Sequence, residues 1–420
     1  MKILWLCNSL IPAISKELGV ALKKPESWIT GSYERLQNSD IELCYLFPYN
    51  GERKLKDNGQ FKFISYKETK PEKFEKSQVS EFVQILKAEM PDVIHIFGTE
   101  YAHSYAMVQA CKQLGIEDRV VISIQGLVSI YAKHYFAHMP EKAVHAYTLR
   151  DLLRHNNIYW QSRNFADRGR YEELAIQGVR HVIGRTDWDK ACVYRLNPKA
   201  TYHFCNETLR PAFYENVWDI DQCEKHSIFA SQSNYPIKGF HLMLEAMADI
   251  VKFYPDAQLY VTGSGNKKIP FLKKMRLPYY RLYVDKLINK YGLENHVHFL
   301  GRLDEQQMCQ QFLKAHVFAS PSSIENSPNS VCEAMILGVP TVTGLVGGTA
   351  NLLRDREEGY LYQADAPYML AYYIMQIFAD DERALRMSRA ARQHALKTVD
   401  RDKNFEDTIR IYQTIANETK

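Results

Sequence analysis

Residues 319–348 read ASPSSIENSPNSVCEAMILGVPTVTGLVGG, and the fold follows from the way this stretch alternates. An apolar run at 316–319 leads into it as the end of a buried strand. A loop of Ser, Pro and Asn comes next, and then an apolar-periodic segment at 330–337 that predicts a helix. Gly338 stops that helix, and Pro340 opens another strand. Strand, loop, helix and strand in this order place the loop at the carboxyl end of a parallel strand, where open α/β sheets take ligands. Two carboxylates bracket the loop: Glu325 within it and Glu333 one turn into the helix, with seven residues between them. The backbone N–H groups around Ser330 and Val331 mark a helix N-terminus, a seat for phosphate. The plainer alternative is that the two glutamates are a loop carboxylate and a solvated helix face.

The same alternation extends upstream. SIFASQS reads as a strand, KGFHLMLEAMADIVKFYP as an amphipathic helix and AQLYVTGSG as a second strand. The glycines of that strand, Gly263 among them, suit close approach by a phosphate or sugar, but GSG without a third glycine is poor evidence for a dinucleotide. Residues 267–290 carry eight basic residues against one acidic, interleaved with Phe and Tyr. A solvated helix or a membrane-surface segment would both account for them. After VHFLG and a helix from Asp304 comes the opening stretch, and helices near 366–379, 382–398 and 402–418 finish the chain.

The first half runs KILWLC, IELCYLF, DVIHIFG and RVVISIQG as strands, with helices at 80–90 and 103–114 between the later ones. This βαβαβ succession predicts a parallel, doubly wound sheet. The charged stretch 52–76 reads as solvated loop and edge strand. Gly31 is either a plain turn glycine or a point where backbone meets a ligand. From 127 to 170 the pattern loosens into aromatic and basic residues, Tyr131 and His134 among them. That segment is either a helical excursion covering one face of the sheet or an acceptor-binding wall. Two α/β runs joined near Pro211 give two Rossmann-like domains facing a cleft, an N-terminal one over 1–208 and a C-terminal one over 209–399.

Composition narrows the function classes. At 420 residues the chain holds two to three domains, and 46% apolar with 24% charged residues is ordinary for a soluble protein. A net charge of +4 is too small to argue for nucleic acid. Tyrosine is plentiful, 27 residues, which suits surfaces that meet polyols. Eight scattered cysteines with no CxxC pair imply reduced thiols in a cytosol and no metal site. MKILWLCNSL lacks a signal peptide's apolar region, and no segment approaches the roughly 20 apolar residues that span a bilayer.

The stretch resembles the E-x7-E signature of retaining glycosyltransferases of family 4, which have the GT-B fold. SPS, the EAM after the second Glu, the GVP turn and the later GG all fall where that family has them. The resemblance implies an α/β protein of GT-B architecture whose C-terminal helix, 400–420, crosses back to the first domain. It also implies a nucleotide-diphosphate sugar as donor, no other cofactor and no metal. Lys238, before Gly239, matches the family's diphosphate-binding Lys, whereas the family Arg falls near Gln232. Arg302 and Arg185 are the candidate substitutes. Glu333 matches the glutamate on the ribose hydroxyls, and Glu325 matches the one that orients the donor sugar. Asn329, Ser330 and Val331 belong to the phosphate-facing helix start, and backbone at 301–303 takes the base.

In the first domain the family's usual His position holds Gln125, which hydrogen-bonds but does not titrate. Retention by front-side attack, with the leaving phosphate taking the acceptor's proton, needs no protein base. Gly31, Glu100, Tyr131 and His134 are the acceptor-side candidates. His95 sits inside an apolar strand and reads first as a satisfied core histidine, second as an acceptor contact. The family context implies a glycan or lipid-linked oligosaccharide acceptor in bacterial surface polysaccharide synthesis. It further implies a cytoplasmic protein with contact at the inner membrane face, and hinges at 205–217 and 395–402 closing on the donor. A nucleotide-sugar 2-epimerase on the same fold and a non-catalytic nucleotide-sugar-binding subunit are the rival readings.

Overall fold

VIHIF at 93–97 and VVIS at 120–123 are buried along their whole length, and such continuous apolar runs belong to strands covered by helices on both faces. In the computed structural model, which describes residues 1–20, 29–265, 270 and 274–419, they lie in the first of two units. That unit comprises Met1–Ile130, Asn164–Arg210 and Val399–Lys420, and the second comprises Tyr131–Arg163 and Pro211–Thr398.

The first unit is an eight-stranded sheet: β1 Lys2–Leu6, β2 Glu42–Tyr49, β3 Leu55–Asp57, β4 Phe61–Lys67, β5 Val93–Phe97, β6 Val120–Ser123, β7 His181–Gly184 and β8 Thr201–Phe204. Its spatial order is β3-β4-β2-β1-β5-β6-β7-β8. The chain winds outward from β1 through β2 and β4, then returns to β5 on the other side, so the winding reverses between β1 and β5. All neighbours pair in parallel except β3, which runs antiparallel to β4.

The stretch 52–76 is therefore more than loop and edge. β4 pairs with β2 from Leu43↔Phe61 to Tyr49↔Lys67 and buries Phe61, Phe63, Ile64 and Tyr66. Lysines at its ends and solvent-facing positions hide this core strand in the sequence. Gly31, in turn, occupies no turn. It lies within the helix Ile29–Leu36, and a Cβ there would make ordinary contact with Thr208 Oγ1 at 3.4 Å.

The C-terminal helix Arg401–Glu418 packs on this first sheet, as expected. Tyr412 supplies the anchor: its hydroxyl accepts from Trp5 Nε1 at 3.1 Å and meets His95 Nδ1 at 2.5 Å. The second nitrogen of His95 meets Ser123 Oγ at 2.6 Å, and burial pushes the imidazole down to about 3. His95 is a neutral, fully hydrogen-bonded core histidine.

The second unit is a six-stranded parallel sheet: β9 Glu224–Ala230, β10 Gln258–Val261, β11 Val297–Phe299, β12 Ala315–Ser320, β13 Thr341–Gly344 and β14 Tyr360–Tyr362. The order β11-β10-β9-β12-β13-β14 repeats the doubly wound scheme and puts its switch between β9 and β12. Residues 267–269 and 271–273 of the basic stretch, and Asn266 of the loop at 262–266, lie outside the described residues. The described helix Tyr279–Tyr291 buries Tyr280, Val284, Leu287 and Ile288.

The excursion at 127–170 differs from its expected place. It is helical, with short helices Glu141–His145 and Leu149–Arg154, but Tyr131–Arg163 belongs to the second unit. Polar contacts hold it there, four of them through side chains. His241 Nε2 meets Ala137 O at 2.7 Å, and Thr148 Oγ1 donates to Leu277 O at 2.7 Å. Tyr279 N–H donates to Asp151 at 2.7 Å, and Ser323 Oγ donates to His134 O at 3.1 Å. The partners are groups far away in sequence, two of these four being backbone, so no local pattern announces the attachment.

Candidate functional site at the switch of the second sheet

Strand β9 ends at Ala230, and the chain then makes a tight turn, Pro236–Lys238, before the helix Phe240–Phe253. Gly239 joins turn to helix in the left-handed region, φ 65°. A Cβ there would overlap the carbonyl oxygen of Pro321, the residue following β12. The glycine thus lets the exits of β9 and β12 touch. Ser323 N–H seals the contact by donating to Ile237 O at 2.8 Å.

That closeness brings Lys238 onto Glu325. Lys238 Nζ lies 2.6 Å from Glu325 Oε1, with the side chains only 20% and 9% exposed. Ser322 Oγ donates to the same oxygen at 2.7 Å. Burial pulls the Lys238 ammonium down, but Glu325 and Tyr235 together pull it up by more, so it stands above its ordinary value and stays charged. The Glu325 backbone is held from a third side. Gly348 N–H donates to Glu325 O at 3.1 Å, and a Cβ on Gly347 would overlap that same oxygen. The GG pair after β13 therefore serves the glutamate of the preceding loop.

The helix beyond the loop spans Asn329–Leu337 and ends at Gly338, φ 85°. Pro328 precedes it without a side-chain cap, which leaves the first turn to the backbone. Val331 N–H turns back to Pro328 O at 3.0 Å. Of the two donors expected at the helix start, Val331 is thus engaged locally, and Ser330 N–H is the one left at the opening of the first turn. Glu333 lies one turn in and is 7% exposed.

Gly263 and Gly301 pair through both backbone groups, at 2.9 and 3.1 Å. A Cβ on Gly263 would come within 2.5 Å of Ser233 Oγ and 2.8 Å of Asn234 Oδ1. The close approach at this glycine is by the chain's own loop after β9. That loop leaves Gln232 exposed, and Arg302 is exposed beside Gly301. Lys238, Glu325, Ser330, Gly263 and Gly301 therefore all follow carboxyl ends of neighbouring strands of one sheet. Ser322, Ser323 and the role of Gly347 were not singled out from the sequence. SPSS and GG were the visible signals, but their partners lie in other loops.

The first unit holds a second polar cluster. Gln125 Nε2 donates to Glu207 Oε1 at 2.6 Å, and Arg185 Nη1 pairs with the other oxygen at 3.0 Å. Arg185 therefore belongs to the first unit and is bound to a carboxylate there. The Glu100 carbonyl accepts from Arg168 Nε at 2.6 Å. Of the four acceptor-side candidates, Gly31 and Glu100 lie in the first unit and Tyr131 and His134 in the second, with the His134 carbonyl on the Glu325 loop.

Glu172 carries no signal in the sequence, yet it is fully buried. It accepts from Ser129 N at 2.9 Å, Ser129 Oγ at 2.6 Å, Val128 N at 3.0 Å and Thr99 Oγ1 at 3.0 Å. Burial pushes its carboxyl up to about 7 against the pull of these donors. The two hydroxyls can turn to accept when the proton is bound. Its contribution to stability is therefore fully present below 4.5 and is lost as pH rises through about 7. Glu172→Gln is expected to flatten the decline in thermal midpoint between about pH 5 and pH 8 relative to wild type. Parallel curves for the two proteins would show that Glu172 is charged throughout.

Residues 215–394 match the family model for glycosyl transferases group 1. Phosphatidyl-myo-inositol mannosyltransferase of Mycobacterium tuberculosis is 27% identical over 198 residues, 46% of this chain and 48% of that protein. The matched stretch spans less than half the length of such relatives. Among solved structures, sucrose-phosphate synthase from Thermosynechococcus elongatus superposes with a TM-score of 0.74 at 16% identity, covering 99% of both chains. Anabaena HepE in complex with UDP and glucose gives 0.67 at 15% identity, covering 98% of this chain and 99% of that one. Residues 215–394 thus resemble a glycosyl transferases group 1 domain, and the chain that carries them has the GT-B fold.

Proposed function

We propose that this chain is a retaining, metal-independent glycosyltransferase that moves a sugar from a nucleotide-diphosphate sugar to a glycan or lipid-linked acceptor. The observation that carries the reading is the buried Lys238–Glu325 pair at the switch point of the second sheet. A charged ammonium beside a helix N-terminus is what a departing diphosphate requires, since negative charge grows on its bridging oxygen as the bond to the sugar breaks. Lys238 and the Ser330 N–H meet the diphosphate, Glu325 orients the donor sugar, and Glu333 takes the ribose hydroxyls. The acceptor oxygen bonds to the anomeric carbon on the face that the phosphate leaves, and the acceptor's proton passes to the phosphate oxygen. Gln125, tied to Glu207, positions and does not titrate.

The names of the similar proteins support a donor of this class, a mannosyltransferase and a complex with UDP and glucose among them. Eight free cysteines support a reducing, cytosolic setting. No helix among the described residues is long and apolar enough to cross a membrane. A role in surface polysaccharide synthesis belongs to the same proposal.

A thermal-shift screen against UDP, GDP, ADP and CDP tests the reading. A nucleotide near 100 times its Kd should add about 2.7 kcal/mol to stability, and one base should stand out. No response to any of the four would remove the donor site. Glu333→Ala should weaken that nucleotide by roughly 10- to 100-fold, the value of hydrogen bonds to a charged group, and unchanged affinity would refute the ribose assignment. A chelator should leave turnover unchanged, whereas sharp loss would call for a metal. Gln232 and Gln125 depart from the family pattern and leave a donor-binding subunit without transferase activity as the second reading. It would respond to nucleotide yet show neither transfer nor slow donor hydrolysis.

A further inference from the structure

The short helix Leu149–Arg154 is capped at Thr148 by a reciprocal pair of hydrogen bonds with Asp151, so its orientation is well held. Leu149, Leu152 and Leu153 stand at i, i+3 and i+4, on one face. That face points to solvent: the three leucines are 50, 45 and 74% exposed. Tyr147, just before the cap, is 58% exposed, and Met275 is 39% exposed where its carbonyl accepts from Arg150 N–H at 3.1 Å. Three leucines, a tyrosine and a methionine gathered at one place form an apolar patch of the kind that marks a contact surface.

Among the described residues the exposed charge around the patch is predominantly basic: Lys142, Arg154, Lys274 and Arg276 are all exposed, with Glu141 the exposed acid beside Lys142. Within the helix the acidic residue is Asp151, which is buried and bound to Thr148 N–H, Tyr279 N–H and Arg150. Exposed leucines and tyrosine rimmed by lysine and arginine match the interface of a bilayer that carries anionic headgroups. A second copy of the chain would meet the same positive rim and be repelled. We infer that this face of the second unit docks on an anionic membrane surface. It engages the interface with Leu149, Leu152 and Leu153 and selects negative headgroups with the four basic residues.

Docking here has a consequence for the proposed reaction, and only this step rests on that reading. The segment that carries the patch also presents the His134 carbonyl to Ser323, two residues from Glu325. A lipid-linked acceptor in the bound membrane would then be held near the same unit as the donor.

The full chain should be sedimented with vesicles of phosphatidylcholine alone and of phosphatidylcholine mixed with phosphatidylglycerol. The mixed vesicles should hold it at least about tenfold more tightly, and added salt should erase the difference. Leu152→Glu with Leu153→Glu should reduce binding by about tenfold or more, with the melting temperature and the nucleotide response unchanged. Lys142→Glu with Arg154→Glu should remove the preference for phosphatidylglycerol. Equal binding to both vesicles, or wild-type binding by the leucine variant, would overturn the inference. So would a dimer in solution that the leucine variant breaks, which would make the patch an interface between copies. Vesicle binding that persists in a protein with no nucleotide response supports the surface and refutes the donor site alone.

Discussion

Lys238→Ala is expected to lower the rate of sugar transfer by about 10²- to 10³-fold, the loss seen when one preorganised donor to a developing negative charge is removed. The pair geometry explains why no neighbour substitutes. Lys238 Nζ is 2.6 Å from Glu325, in a loop that is buried from Pro321 to Pro328. Arg302 is exposed after Gly301, and Arg185 is bound to Glu207 in the other unit. Removing the ammonium also leaves Glu325 buried with Ser322 as its remaining side-chain partner among the contacts described above. Breaking a buried pair in this way lowers stability by up to about 3 kcal/mol.

Rate and stability separate in the double variant. Lys238→Ala with Glu325→Ala removes both charges, so stability should recover part of the loss while turnover stays low. Initial rates of nucleotide release and thermal melts of the two variants and the wild type measure both quantities. Wild-type turnover in Lys238→Ala would mean that the diphosphate is neutralised elsewhere.

Much of this site was legible in one dimension because it is built from strand ends. Alternating apolar runs located the strands, and glycine and proline marked where they stop. The loop following one such stop held Glu325, whereas Lys238 was marked by its resemblance to the family's Lys-Gly pair. What the chain order does not display is contact between loops. That Gly347 and Gly348 hold the Glu325 carbonyl, or that Val331 N–H turns back to Pro328, depends on backbone positions set by the packed sheet. The excursion 131–163 was readable as helical, yet beside the His241 and Ser323 side chains its partners are the carbonyls of 275 and 277 and the N–H of 279, which any residue supplies equally. β4 was missed for a different reason. FKFISYK mixes two lysines into a core strand, and net charge outweighed the alternation. Glu172 was invisible because its four donors come from two segments distant in sequence, the start of the short helix Val128–Tyr131 and the loop at Thr99.

Gly239→Ala should be among the most damaging single substitutions in the second unit, removing about 4 kcal/mol or more of stability. Two penalties combine. An L-residue at φ 65° sits in the left-handed region, which costs about 1–2 kcal/mol. The larger part is steric, because the new Cβ would overlap the Pro321 carbonyl oxygen. That oxygen is backbone and has no rotamer to escape into. Relief requires moving the exit of β12, and with it Ser323, which is bonded to Ile237, and the Glu325 carboxylate.

Gly292 separates the two penalties. It caps the helix Tyr279–Tyr291 at φ 67°, and a Cβ there meets nothing within 4 Å. Gly292→Ala should therefore lose only the conformational part and keep its full response to nucleotide. Gly239→Ala should melt well below it and lose that response, because the shift carries Lys238 away from Glu325. Equal melting of the two variants would show that the β12 exit yields freely to the β9 turn. The Lys238–Glu325 geometry would then not be imposed by the contact at Pro321, and the coupling of the two loops through Gly239 would be wrong.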